Sequence, residues 1–241
     1  MSIEKFEHPL IKLLNSDSKI FILCSTSPRR IEILTKMGFN KIIIKPSEFP
    51  EDLDKNLYTP QEYVENTAEG KAINVYQSLK KEYEFNGKEC DDNNNFTKIC
   101  LLAADTVIET NGKIFEKPKD IEDQYNSLRQ LRDSNAKINC ITGVVIITNE
   151  IDENNNKEEI IKMNKIKFSV ITEIEFNGNC SNELIKNYCN CKEGLKVAGG
   201  FKIQGYGSIL INKINGDYHN VVGLPFTKTF ENLCKINNIN F

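Results

Sequence analysis

An apolar run over residues 20–24 has the length of one buried strand, and it stops abruptly at Ser25-Thr26-Ser27-Pro28-Arg29-Arg30. Ser27 suits a helix N-cap, and Pro28 suits the first helical position, where its missing N–H costs nothing. Ile31, Ile33, Leu34 and Met37 then supply an apolar stripe. The stretch encodes a strand that turns tightly into a helix, with Ser25, Ser27, Arg29 and Arg30 crowded at the turn. Free N–H groups at a helix start favour anions, and two guanidinium groups add fixed positive charge shaped for phosphate oxygens. Taken alone, the turn is either a phosphate site or an ordinary capped helix with two solvated arginines.

The remaining pattern extends this unit. Residues 42–44 are β-branched and read as a short strand. Thr59-Pro60, with Glu62 three residues after the threonine, reads as a helix start, and the helix should run to about residue 81. Residues 99–104 form a second strongly apolar strand, expected to end at Asp105-Thr106. Asn111-Gly112 marks a two-residue hairpin turn. Asp120 can cap a helix over 121–132. A long strand over 137–148 and a returning strand over 160–176 form an antiparallel hairpin. Ser181 can cap a further helix, residues 192–207 carry five glycines and read as irregular, and Leu224-Pro225 opens a last helix ending near residue 236. Strands alternating with helices, followed by a long hairpin, give an α/β fold with a mixed sheet. Residues 1–18 read as an N-terminal extension, with a short helix over 9–14 packed outside the main fold. Residues 19–241 read as one domain. The Asn- and Asp-rich segments 83–98 and 149–159 read as loop expansions.

The formal net charge is −3, which argues against nucleic-acid binding through a broad basic face. No segment approaches the length of a membrane helix, so no membrane association is expected. The eight cysteines include no CxxC pair, and only two histidines could join them, so a zinc site is not expected. Cys24, Cys100 and Cys140 lie in apolar runs and read as small buried hydrophobes, which fits a reduced, cytoplasmic compartment.

Asp105 could hold a metal ion or activate a water, or simply cap a turn. Lys71 and Lys117 are lone lysines, Glu51 and Glu48 share an acidic loop, and Gln204 lies in the Gly-rich stretch, where backbone can approach a ligand. Several cations with one or two carboxylates able to carry Mg²⁺ suit phosphate-ester or phosphoanhydride chemistry.

The Ser25-to-Arg30 turn, Lys71-Ala72, Ala104-Asp105-Thr106, Glu116-Lys117-Pro118, Thr142-Gly143, Ala198-Gly199, Ile203-Gln204-Gly205 and the run from Gly216 through Asn220 to Pro225 resemble, in order and spacing, the Maf family of nucleoside triphosphate pyrophosphatases. The resemblance implies an elongated mixed sheet flanked by helices, with two lobes around a nucleotide cleft. It implies hydrolysis between the α- and β-phosphates with a divalent metal, Mg²⁺ or Mn²⁺. By the same resemblance Asp105 is the catalytic base. Ser25, Ser27, Arg30, Lys71 and Lys117 bind the nucleoside triphosphate, and Glu51 and Asp105 hold metal. Arg29, Thr106 and Gln204 set base choice, as in the dTTP/UTP branch. A homodimer is also suggested. The chain departs from the family at Lys196-Val197, where Asp-Lys is usual, and at Phe201-Lys202, a pair nearer the 7-methyl-GTP branch. A 7-methyl-GTP pyrophosphatase, or a nucleotide-binding cell-division regulator with little turnover, are the alternatives.

Overall fold

The computed structural model describes residues 6–86, 98–151 and 161–241. In chain order its elements are α1 (Pro9–Leu14), β1 (Ile20–Leu23), α2 (Pro28–Lys36), β2 (Ile42–Ile44), α3 (Pro60–Asn86), β3 (Ile99–Thr110), β4 (Lys113–Phe115), α4 (Ile121–Arg132), β5 (Ile138–Ile151), β6 (Ile161–Phe176), α5 (Asn182–Asn190), β7 (Ile211–Asn215), α6 (Tyr218–Val222) and α7 (Phe226–Ile236). Local chemistry sets several boundaries. Glu62 accepts from the Thr59 N–H at 2.9 Å while Thr59 Oγ1 accepts from the Glu62 N–H, a reciprocal cap at the start of α3. Asn111 and Gly112 both hold positive φ, 53° and 77°, as a tight hairpin of this twist requires. Asp120 and Ser181 cap α4 and α5 as expected.

The strands form one mixed sheet in the order β2-β1-β3-β5-β6-β7, with β4 paired to the far end of β3. β1 runs parallel to both β2 and β3, whereas β3, β5, β6 and β7 are successively antiparallel. Alternation along β3 divides the core. Leu101 and Ala103 pack with Ala68, Ala72 and Val75 of α3 on one face. Cys100, Leu102 and Ala104 pack on the other, with Ile33 and Leu34 of α2 and Leu233 of α7.

Four expectations are corrected. β3 does not end at Asp105 but continues to Thr110. α1 is not outside the main fold: Leu10 and Leu14 are fully buried in the cluster that holds Phe21, Phe39 and Phe230. α3 runs past residue 81 to Asn86. Ser27 occupies the N-cap position of α2, but its side chain makes no capping bond; its own N–H donates instead to Ser25 Oγ at 3.2 Å. Most of both Asn-rich segments, residues 87–97 and 152–160, lies outside the described residues.

Candidate active site

The site exists because β3 loses one neighbour partway along. β1 pairs with it from Ile99 to Leu102, and β4 begins pairing at Ile108. Among the described residues, no strand covers residues 103–107 on that flank, while β5 covers them on the other. The turn from β1 into α2 leaves the sheet at this gap. Asp105 and Thr106 thus stand in mid-strand with their side chains beside an opening. The opening is a pocket of about 540 Å³.

Asp105 points to the α3 face, where Lys71 Nζ donates to its Oδ1 at 2.8 Å. Lys71 also meets Glu51 Oε1 at 3.0 Å, so one ammonium bridges two carboxylates. Lys71 and Asp105 side chains are 9% and 12% exposed, whereas Glu51 is 46% exposed. Two glycines make this meeting possible. Gly143 is the β5 partner of Asp105, and a Cβ there would lie 2.5 Å from the Val64 carbonyl of α3. Its bare backbone lets α3 lie close against the sheet opposite Asp105. Gly70 receives the Phe49 ring, whose atoms would lie 2.4–2.6 Å from any Cβ. Asn74 Oδ1 accepts from Ser47 Oγ and from the Glu48 N–H, both at 3.0 Å. Those contacts seat the acidic loop so that Glu51 reaches the pocket; Glu48 does not line it.

Arg30 is held by three donations. Its Nε donates to the Gly223 carbonyl at 2.9 Å, Nη1 to Ser25 Oγ at 3.2 Å and Nη2 to Thr106 Oγ1 at 3.2 Å. Arg29 Nε donates to the Val222 carbonyl at 3.1 Å. The C-terminal motif supplies those carbonyls. Buried Asn220 donates to the Cys140 and Val170 carbonyls at 3.1 Å each and to Thr172 Oγ1 at 3.0 Å, stitching α6 to β5 and β6. Asp217 accepts from the His219 and Phe226 N–H groups at 2.8 and 3.1 Å. The motif is therefore a bracket for the two arginines. Thr106 Oγ1 lies 2.9 Å from Thr142 Oγ1, which fixes the hydroxyl Arg30 reaches.

Electrostatics follow the geometry. Burial would raise the Glu51 carboxyl, but Lys71, Lys117 and Arg30 together hold it below the usual carboxylate value. Burial lowers the Arg30 guanidinium, against the fields of Asp105 and Glu51. Cys24 and Cys140 line the pocket, yet their thiols are pushed up to about 12, chiefly by burial, so neither supplies a thiolate at neutral pH.

Ser25, Ser27, Arg29, Arg30, Glu51, Lys71, Asp105, Thr106 and Lys117 all line the one pocket. Gln204 does not: it is exposed and is not part of the pocket wall, whereas Arg29 and Thr106, expected with it to set base choice, are. Ala198 and Phe201, from the Gly-rich stretch, occupy the wall instead, together with Lys196. All three positions were marked in the sequence only through the family resemblance, Ala198 as part of a motif and Lys196 and Phe201 as departures from it. Glu51 and Asp105 are hard oxygen donors already gathered around one positive charge. Among the described residues no group of three or more His, Cys, Asp and Glu side chains is placed for a metal. Two carboxylates completed by substrate phosphates are how Mg²⁺ is commonly held, so these residues fit such an ion.

A mixed α/β sheet opened beside two carboxylates, with arginines and lysines around the gap, defines a protein built to receive a polyanionic small molecule. Residues 20–236 match the Maf-like protein family, and the chain belongs to that family. It is 38% identical over 216 residues to a dTTP/UTP pyrophosphatase of Saccharomyces cerevisiae, covering 88% of each chain. A dTTP/UTP pyrophosphatase of Schizosaccharomyces pombe is 36% identical over 215 residues, covering 88% of this chain and 82% of that one. One from Pyrococcus furiosus is 36% identical over 207 residues, covering 86% and 90%.

Proposed function

We propose that this protein hydrolyses dTTP and UTP to the monophosphate and pyrophosphate. The observation that carries the reading is the buried Lys71–Asp105 contact beside Arg30, in a pocket of about 540 Å³ lined by arginines and lysines. The dTTP/UTP names of the relatives support the choice of nucleotide.

In this reading the triphosphate lies along the β1–α2 turn. Ser25, Ser27 and Arg30 meet its oxygens there, while Lys71 and Lys117 approach from α3 and from the turn after β4. Asp105 orients a water against the α-phosphorus. The water oxygen forms the new P–O bond, its proton passes to the Asp105 carboxylate, and the bond to the bridging α–β oxygen breaks to release pyrophosphate. Charge grows on the leaving group, so Lys117 and Lys71 contribute most in the transition state. Glu51 and Asp105 would hold Mg²⁺ or Mn²⁺, which when bound neutralises phosphate oxygens. Family resemblance supports Arg29, Thr106 and Gln204 as the residues that set base choice, and the first two line the pocket.

The test is pyrophosphate release from dTTP, UTP, CTP and 7-methyl-GTP, each with Mg²⁺ or Mn²⁺. Release with dTTP and UTP foremost is the expected result. Preference for 7-methyl-GTP would move the protein to another branch, and no release from any nucleotide would reduce it to a binder.

A further inference from the structure

One carboxylate beside the pocket has no part in the steps above. Glu116 directly precedes Lys117, and its side chain is gripped from two sides. Tyr63 of α3, 1% exposed, donates its hydroxyl to Glu116 Oε1 at 2.7 Å. Lys55 donates to Glu116 Oε2 at 2.6 Å, and its ammonium stands 5.9 Å from the Tyr63 ring centre. The Glu116 carbonyl accepts from the Gly199 N–H at 3.0 Å, joining the pocket wall that carries Ala198. The Tyr63 hydroxyl is pushed above its ordinary value first by burial, then by Glu116, and further by Asp105 and Glu51, which places this grip within the field of the site.

Lys55 matters because of where it sits. It opens a 3-10 turn, Lys55–Leu57, capped by Asp54, four residues after Glu51 in the same loop. The Lys55–Glu116 pair therefore ties the loop that carries Glu51 to the turn that carries Lys117. Those two side chains face each other at only 4.0 Å. Neither is buried: Glu51 is 46% and Lys117 62% exposed. Lys71 and the Asn74 contacts hold the Glu51 side, and the Lys55–Glu116 pair is a tie from that loop to the Lys117 side.

We infer that Glu116 is a positioning residue, a strap between Lys55 and Tyr63 that fixes where Lys117 meets the phosphates opposite Glu51. The inference rests on the proposed pyrophosphatase reading for its substrate, but the strap itself is read on the affinity for inorganic pyrophosphate, measured by calorimetry without turnover. Exposed ion pairs are weak, so Glu116→Gln and Lys55→Met should each weaken pyrophosphate binding and dTTP kcat/KM by about threefold. Lys55→Arg keeps the pair and should restore binding. Tyr63→Phe removes a buried donor to a charged acceptor and should cost about tenfold. In a Lys117→Ala background the Glu116→Gln loss should vanish, because the strap acts through Lys117. Melting temperature separates this from a structural role, since Lys55→Met should leave it unchanged. Equal Glu116→Gln losses in both backgrounds, or losses that merely follow melting temperature, overturn the strap. Wild-type protein that binds pyrophosphate but releases none from dTTP or UTP would sink the enzymatic reading and leave the strap standing.

Discussion

Arg30 and Lys117 bring the same charge to the same pocket by opposite means. Arg30 belongs to a floor in which every group is committed: three of its N–H groups are bonded to protein, and Lys71 and Asp105 are nearly buried against each other. Lys117 belongs to a rim of loops, mostly exposed, whose contact with Glu51 is a single 4.0 Å approach. The floor is organised before any ligand arrives, so little ordering remains for the moment of binding. The rim keeps its rotamers and must be gathered by ligand. Chemistry that needs fixed geometry belongs to the first, and adaptation to a long, flexible anion to the second.

The sharpest test of this division is Asp105→Asn. It keeps the shape of the floor and removes a base, so turnover should fall by about a thousandfold while nucleotide affinity changes little. Near-normal release of pyrophosphate would remove Asp105 from the role. Arg30→Lys comes next. It preserves charge but loses the fork that spans Gly223, Ser25 and Thr106, and should lower kcat/KM by about thirtyfold on every nucleotide alike. A change confined to one base would mean that Arg30 reads the nucleoside rather than the phosphates. Gly143→Ala probes how the floor is built. Its Cβ must push α3 outward, so unfolding by urea should show a loss of about 1–3 kcal/mol, with activity falling as Lys71 leaves Asp105. Full activity would show that α3 can move without carrying Lys71.

The smallest effect belongs to the rim. The Glu51 carboxyl is depressed in the folded chain, so its contribution to stability is complete above the unfolded carboxylate value of about 4.3 and is lost as pH falls through the lower folded value. Because the group is half exposed, solvent screens that contribution to a small one. Lys117→Ala should raise the folded value toward the unfolded one, so the contribution is smaller and its loss, which still begins near the unfolded value, is complete at a higher pH. Comparing melting temperature from about pH 5 downward in this variant, the wild type and Glu51→Gln will show it. An unchanged acid limb in Lys117→Ala would mean that Lys71 and Arg30 control Glu51 without Lys117.

The strand–turn–helix at Ser25 was legible because its proline and apolar spacing are local, although the Ser27 cap did not form, and Asn111-Gly112 and Thr59–Glu62 were legible because their signals are local too. The reach of β3 was not. Asp105-Thr106 looks like the end of a strand, since polar residues rarely continue a buried one, yet here they stand at the place where β1 has ended and β4 has not begun. Burial of α1 was hidden because its partners, Phe39 and Phe230, are distant in sequence. Gly70 and Gly143 gave no local sign of their use, which depends on what lies across from them. Gln204 shows the converse: a residue marked by family resemblance sits outside the pocket.

The pairing of Asp105 with Gly143 has a consequence for biosynthesis. It is one rung in a ladder that runs from Cys100–Thr148 to Thr110–Ile138. A slip of one residue would turn Asp105 to the opposite face and set a side chain where α3 needs bare backbone. A misaligned chain could not close its core and keep a dead centre. Strand register thus also sets the site: molecules that complete the ladder carry the carboxylate where Lys71 can meet it.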